Sequence, residues 1–425
     1  MGFTLLFTFI ILVALSIPIS FSLTGAGLLS AYLSGKYPME VVLHRITGGL
    51  DSFVLLAIPF FILAGNLMNT SGITRRIFDF ANALVGRIPG GLGHANIVSS
   101  IIFSGMSGSA VADAGGLGLI EMKAMHDQGF PDDFSAAVTA ASATIGPIIP
   151  PSIPMVVYGV MAEVSIGKLF LGGFIPGLLM GISLMILVYY MSKKHHYPTS
   201  PHFSFKLVWK TFINSFWALL TPIIIIGGIL GGIFTPTEAA AVAVIYALFL
   251  GFVVYKELSF KSLWGILIES FHTTATVTFI IGAAAAFAWL IAIEGIPTKL
   301  AHAIYSLKIS KTVFLLIFNV VFLVLGTFME SLSIMVITVP VLVPIIKALQ
   351  LDPLHIGVVL VLNLMIGLIT PPVGMSLFVT SKIGNVRLEQ LYTSILPFIV
   401  PLVFVLFLIT YIPSLITWLP SLFLK

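Results

Sequence analysis

The chain has 425 residues, is 58% hydrophobic and only 8% charged, and has a mean hydropathy of +1.13. A soluble domain is nearer one quarter charged, so this composition excludes a soluble globular protein and points to an all-α polytopic membrane protein. The formal charge of +4 sits in short connections, where it serves orientation in the bilayer rather than nucleic-acid binding, and the lack of cysteine excludes disulfides and thiolate metal sites.

The N-terminal "MGFTLLFTFIILVALSIPIS" has no basic residue before its apolar run. It reads as a retained first membrane helix rather than a cleaved signal peptide. Apolar segments follow in order at 3–33, 53–69, 93–108, 110–122, 134–162, 168–191, 213–234, 237–255, 263–293, 312–328, 331–349, 354–381 and 389–418. The shorter amphipathic stretch 73–88, "ITRRIFDFANALVGRI", suits the membrane interface. The longest polar stretch, "SKKHHYPTSPHFSFKLVWK" at 192–210, is too short to fold alone.

One offset runs through the chain. Gly105, Gly146, Pro150, Pro151 and Pro176 recur 221 residues later as Gly326, Gly367, Pro371, Pro372 and Pro397, and "SGITRR" matches "EGIPTK" at an offset of 223. Matching Gly/Pro interruptions in duplicated halves point to the binding site of a secondary transporter. Prolines remove N–H donors and break helices. Irregular backbone at membrane depth is tolerated where it lines a cavity or is buried in protein. Pro150–Pro151 and Pro371–Pro372 are therefore read as paired helix breaks.

Orientation follows from charge. With 192–211 on the cytoplasmic side, and 93–122 and 312–349 as re-entrant hairpins, twelve of the 20 Lys and Arg residues fall on that side. They include Arg75, Arg76, Lys193 and Lys210; the eight opposite include Lys308 and Lys425. The hairpins then open to opposite sides, and the repeats are inverted. The domains are a scaffold helix and interfacial connection at 1–52 and a first repeat at 53–192. Central scaffold helices occupy 193–262, a second repeat 263–418, and a tail 419–425.

The tip of the first hairpin reads "FSGMSGSAVADAGGLG". Its small residues suit close packing, or a tip whose N–H groups and hydroxyls (Ser104, Ser109) meet an anion. Asp113 is either a helix cap or a functional carboxylate, because acids are costly at this depth. In the second tip, Glu330 stands at the repeat equivalent of Ser109, beside Ser331 and Ser333. Its alternatives are an ion pair with the scaffold and a ligand or coupling role. Ser104, Ser109, Asp113, Ser152, Glu330, Ser331 and Ser333 are the candidate substrate residues. Pairing each tip with its own break gives two candidate sodium sites built from hard oxygen ligands. Ser107, Gly146, Ile149 and Pro151 form the first; Phe328, Gly367, Thr370 and Pro372 form the second. Thr144 and Asn363 add side-chain oxygen nearby.

Glu163 and Glu294 lie near helix ends, and Glu238 follows Thr235-Pro236-Thr237 as in a capped helix start. The nine histidines show no metal spacing, and no Walker A sequence is present, so the chain itself uses no nucleotide.

Six stretches together carry a family resemblance: "PFFILAGNLM", "SGMSGSAVADAGGLG", "GPIIPPSIPMVVYG", "GGIFTPTEAA", "GTFMESLSIMVITVPVLVPI" and "GLITPPVGMSLFVTS". The chain resembles the large membrane subunit of tripartite ATP-independent periplasmic (TRAP) transporters. The resemblance implies an elevator-type fold like that of the ion transporter superfamily, in the bacterial inner membrane. In it, 34–50 and 235–262 belong to a scaffold and the Pro-Pro segments to a moving domain. It implies Na+ as coupling ion and import of an organic acid, sialic acid or a C4-dicarboxylate. It also implies a small four-helix membrane subunit, expected here as a separate chain, and a periplasmic substrate-binding protein. Two other readings stay open at this point. One is a stand-alone sodium–dicarboxylate carrier, or a Na+/H+ antiporter relaying protons through Asp113 and Glu330. The other is an intramembrane enzyme, which would require a nucleophile–base pair that the Ser-rich tips lack.

Overall fold

The computed structural model describes residues 2–199, 204–306 and 309–424; His202, Lys308 and Lys425 lie outside them. All regular structure among the described residues is helical.

The first apolar run is two helices rather than one span. α1 (Gly2–Ala14) and α2 (Ile19–Ser34) pack on each other across a turn. Ser16 takes a positive φ of 61° in that turn and Pro18 caps α2, so the helix cannot continue. α3 (Met39–Gly48) follows, then α4 (Ala57–Thr70) after a 3₁₀ turn, and the amphipathic α5 (Ile73–Val85). Gly72, at φ 76°, makes the corner between α4 and α5; a Cβ there would strike Glu257.

α6 (Gly91–Ser107) and α7 (Ala110–Asp127) form the first hairpin. The first broken helix is α8 (Asp132–Ala143) and α9 (Ile153–Ala162), and α10 (Ile166–His195) closes the first half. The centre holds α11 (Phe205–Leu230), α12 (Pro236–Phe249), which runs into a π turn at Leu250–Val254, and α13 (Phe260–Ile293). α12 begins as expected, with Thr235 and Glu238 exchanging hydrogen bonds in a capping box. The second half repeats the first: α14 (Ile296–Ser306), the hairpin α15 (Lys311–Phe328) and α16 (Ser331–Ala348), the broken helix α17 (Pro353–Gly367) and α18 (Met375–Gly384), and α19 (Leu388–Tyr411). The expected tail is instead mostly helix. Pro413 ends the preceding span, and α20 (Ser414–Phe423) lays Ile416 against Gly172 of α10. Eight helical stretches among the described residues are long and apolar enough to cross a membrane.

α8 is buried from Phe134 to Ala143 and α17 from Leu354 to Gly367. Helices apolar all round belong in the interior, so the two broken helices form the core. Around them pack α7, α10, α16, α18 and α19. Two bonds lock the halves together: Tyr158 Oη donates to Pro353 O at 2.7 Å, and Ser394 Oγ donates to Asp133 Oδ2 at 2.6 Å. A second group brings α4 against α12, and α13 against α2, α3 and α4.

The repeat is visible in chemistry as well as topology. Ser142 Oγ donates to Asn96 Oδ1 at 2.6 Å, tying α8 to α6, and Asn363 Nδ2 donates to Asn319 Oδ1 at 3.1 Å, tying α17 to α15. Ser142 and Asn363 stand 221 apart, and Asn96 and Asn319 stand 223 apart. Asn363 serves this clamp through Nδ2, while its Oδ1, the oxygen expected beside a cation, is buried without a partner among the described residues. Asn319→Leu keeps the branched shape in a somewhat larger side chain but leaves Thr410 without its donor and Asn363 without one acceptor. It is expected to cost about 1–2 kcal/mol, read as an earlier thermal unfolding transition in detergent.

Candidate substrate and ion site between the hairpin tips

Each hairpin turns at a helix N-cap. Ser109 is extended at φ −136° and its Oγ accepts from Ala112 N at 3.4 Å; Glu330 caps α16 by accepting from Ser333 N at 3.1 Å. These are the two repeat-equivalent positions. Glu330 also accepts from the Ser331 and Ser333 hydroxyls. Among the described residues it pairs with no cation, so of the readings of Glu330 the scaffold ion pair is not formed.

A cavity of about 50 Å³ lies where the tips meet the first break. Residues 108–111 of the first tip and 330–332 of the second line it, with Pro147, Ile153, Pro154, Met365 and Leu368. The N-termini of α7, α9 and α16 therefore converge on one chamber. Their unpaired N–H groups and dipole ends favour negative charge. Of the candidate substrate residues, Ser109, Glu330 and Ser331 line the chamber. Four other candidates do not. Ser104 donates back to Ile101 O at 2.6 Å, Ser152 caps α9 through Met155 N at 3.2 Å, and Ser333 serves the cap at Glu330. Asp113 turns away to the first break.

That break is the C-terminal counterpart. Four residues on from Gly146 and Pro147 stand Pro150 and Pro151, which have no N–H to donate. Among the described residues no backbone N–H donates to the carbonyls of Gly146, Pro147, Ile148, Ile149, Pro150 or Pro151. Asp113 is 1% exposed. Its Oδ1 accepts from Ser107 Oγ, while Oδ2 is buried without a partner and lies where a Cβ on Gly146 would be. Gly108, at φ 64°, brings the tip so close that a Cβ there would be 2.6 Å from Pro151 O. Ser107, Asp113, Gly146 and Pro151 thus come together in one buried, oxygen-rich pocket with no cationic side chain bonded to Asp113 among the described residues.

The second break is organised differently. Gly326 and Gly367 meet backbone to backbone, a Cβ on Gly367 reaching 2.5 Å from Gly326 Cα. The Gly367 carbonyl accepts from Thr370 N at 3.0 Å, and the Pro372 carbonyl from Tyr392 Oη at 2.5 Å. Thr370 Oγ1 donates to Ile366 O. Phe328 turns outward, 60% exposed, and it is the Thr327 carbonyl that meets this break, accepting from Gly374 N at 3.3 Å. Of the four expected oxygen donors, only the Thr370 and Phe328 carbonyls keep no bonded donor among the described residues. The first break is buried throughout, whereas Pro372 is exposed. Both Pro-Pro bonds are cis.

One buried acid escaped the sequence reading. Glu121 of α7 is 1% exposed and bonded to Ser99 of α6, beside the bond from Asn96 to Thr139. The signal was available: a carboxylate in the second arm of an apolar hairpin.

Paired broken helices, re-entrant tips and a chamber between them make a transporter's architecture. The family model described as the tripartite ATP-independent periplasmic transporter, DctM component, matches residues 6–415. The chain belongs to that family. It is a TRAP transporter large permease, a multi-pass protein of the bacterial inner membrane and not an enzyme. It is 49% identical over 407 residues to the sialic acid TRAP transporter large permease protein SiaM of Vibrio cholerae, covering 96% of this chain and 95% of that one. It is 44% identical over 417 residues to the sialic acid TRAP transporter permease protein SiaT of Haemophilus influenzae, covering 98% of this chain and 68% of that one. Among solved structures, the Alcanivorax borkumensis YdaH transporter superposes with a TM-score of 0.62 at 14% identity, covering 88% of this chain and 87% of that one. That likeness carries the helical transporter fold alone.

Proposed function

We propose that this TRAP large permease imports an organic acid, a sialic acid in the first instance, driven by sodium and moving by an elevator mechanism. It works with a small four-helix membrane subunit and with a periplasmic binding protein that delivers the acid. One observation carries the reading: helix N-termini face the chamber while free carbonyls and an unpartnered buried carboxylate oxygen face the break beside it. The first set suits an anion, the second a hard cation. A buried carboxylate oxygen without a partner is costly, and a sodium ion held by Asp113, Ser107 and the carbonyls of Gly146, Ile149 and Pro151 would remove that cost at Oδ2. Asp113 is thereby moved from the substrate set to the ion set. The second ion site, on Phe328, Gly367, Thr370 and Pro372, requires the Thr370–Gly367 and Tyr392–Pro372 bonds to open. The tips would then be ordered when sodium is bound, so that anion and cation raise each other's affinity. The elevator reading rests on the two packed groups of helices and on the unlike exposure of the two breaks.

The experiment is uptake by proteoliposomes holding both membrane subunits, supplied with the cognate binding protein and labelled sialic acid or succinate. Sialic acid uptake is expected with an inward sodium gradient and should vanish with potassium on both sides. Full-rate uptake in potassium would remove sodium from the scheme; uptake of succinate alone would reassign the substrate.

A further inference from the structure

A second, larger cavity of about 520 Å³ lies away from the tips, between α5, α11 and the end of the π turn after α12. Its volume falls in the range of small-molecule sites. Arg75, Arg76, Asp79 and Glu257 bring two charges of each sign to its lining. Arg76 is fully used: Nη1 bonds Glu257 Oε1 at 2.7 Å and Gly72 O at 2.7 Å, and the guanidinium lies 3.9 Å over the Tyr255 ring. Arg75 and Asp79, one turn apart on the same face of α5, make no ion pair among the described residues. The Asn214 amide opposite them on α11 likewise bonds to no other described residue. The wall thus presents one cation, one anion and one amide with no direct bond to another described residue, the Arg75 and Arg76 charges acting on Asp79 through space.

The surroundings place this cavity at a membrane surface. α11 is the least buried of the eight candidate spans. Trp217, on the cavity lining, is 44% exposed, and the apolar strip continues into the span through Ile223, 62% exposed. Trp209, about two turns closer to the helix start, stacks on Phe212. Aromatic residues beside a charged recess mark the headgroup level, and the strip below offers a bed for acyl chains.

We propose that this recess binds the headgroup of a phospholipid carrying a primary amine, of the phosphatidylethanolamine class. Arg75 and Asn214 hold the phosphate, and Asp79 holds the ammonium. A phosphatidylglycerol headgroup offers Asp79 only neutral hydroxyls and no positive charge to offset that of the carboxylate. A quaternary ammonium cannot donate hydrogen bonds to Asp79. The bound headgroup bridges α5, which leads from the Gly72 corner to the first hairpin, and α11, so it braces the joint at which that hairpin leaves its neighbours.

The test is native mass spectrometry of the two-subunit membrane complex, taken from nanodiscs of phosphatidylethanolamine mixed equally with phosphatidylglycerol, and separately with phosphatidylcholine. The amine lipid should be retained about tenfold over either competitor. Asp79→Asn should erase that preference, and Arg75→Gln should lower retention of all three lipids together, each at an unchanged melting temperature. Should Arg75→Gln fold poorly, Asn214→Ala gives the same loss of retention from the other wall; should Asp79→Asn fold poorly, Asp79→Gln reads the loss of preference. Soluble phosphoethanolamine separates the two sources of this chemistry: failure to displace the lipid assigns the site to membrane lipid, and full displacement overturns the lipid assignment. Equal retention of all three lipids, a preference untouched by Asp79→Asn, retention untouched by Arg75→Gln, or a recess filled by the small subunit with no lipid retained would each overturn the proposal.

Discussion

Asp113→Asn should abolish the response of this permease to sodium while leaving it folded. The wild-type complex is expected to melt later as sodium is added, because an ion bound only by the native state stabilises it by mass action. In the variant the amide oxygen can still accept from Ser107 Oγ, and the new NH₂ group can donate to a free carbonyl of the first break, such as that of Gly146. The site is then filled by the protein's own hydrogens. Its melting temperature without sodium should match or exceed wild type, the sodium-induced shift should vanish, and uptake should fall by about 100-fold or more, which is about 2.7 kcal/mol. Asp113→Ala should lose uptake equally but melt earlier, since it leaves Ser107 without its acceptor. A sodium shift retained in Asp113→Asn would take Asp113 out of the ion site. Uptake by the wild type that follows a pH gradient and ignores sodium would recast Asp113 as a proton carrier.

Gly367→Ala should damage folding itself. The added Cβ lands 2.5 Å from Gly326 Cα and 3.0 Å from Gly326 O, so backbone must move rather than a side-chain tip. Overpacking of this kind costs about 1–3 kcal/mol, and the cost falls at the junction of the second tip and second break. The expected readout is an earlier unfolding transition together with lost uptake. Gly265→Ala, in the long helix α13 with nothing within 4 Å, serves as the control and should be neutral or mildly stabilising. Gly146→Ala separates the two effects: its Cβ falls first on the Asp113 carboxylate, with the nearest backbone atom, Ala143 O, 3.2 Å away, so the variant should fold but lose the sodium shift.

The paired breaks and the two caps were legible because proline, glycine and a single offset are local signals. The offset of 221 that placed Pro150 over Pro371 also placed Ser109 over Glu330, and the structure makes both of them hairpin N-caps. The clamp between Asn96 and Ser142, and its counterpart between Asn319 and Asn363, was written in the same offsets but needed the extra two residues found upstream. Other features depend on rotation about a helix or a single dihedral. Ser104 and Ser109 stand five apart at the same tip, yet one turns back to its own helix and the other lines the chamber. Asp113 looked like a substrate ligand because its position on α7 is known from sequence, whereas its direction, toward Gly146, is set by packing. The split at Ser16 was hidden by an unbroken apolar composition from 3 to 33, with Pro18 the sole warning.

The chamber between the tips has about 50 Å³, room for a few water molecules and far too little for an acidic sugar. Passage of such a molecule demands that residues 108–111 and 330–332 part company first. An idle permease is therefore corked by its own geometry against anything larger than a few waters, and a cell can keep many copies in its envelope without opening a hole of sugar size.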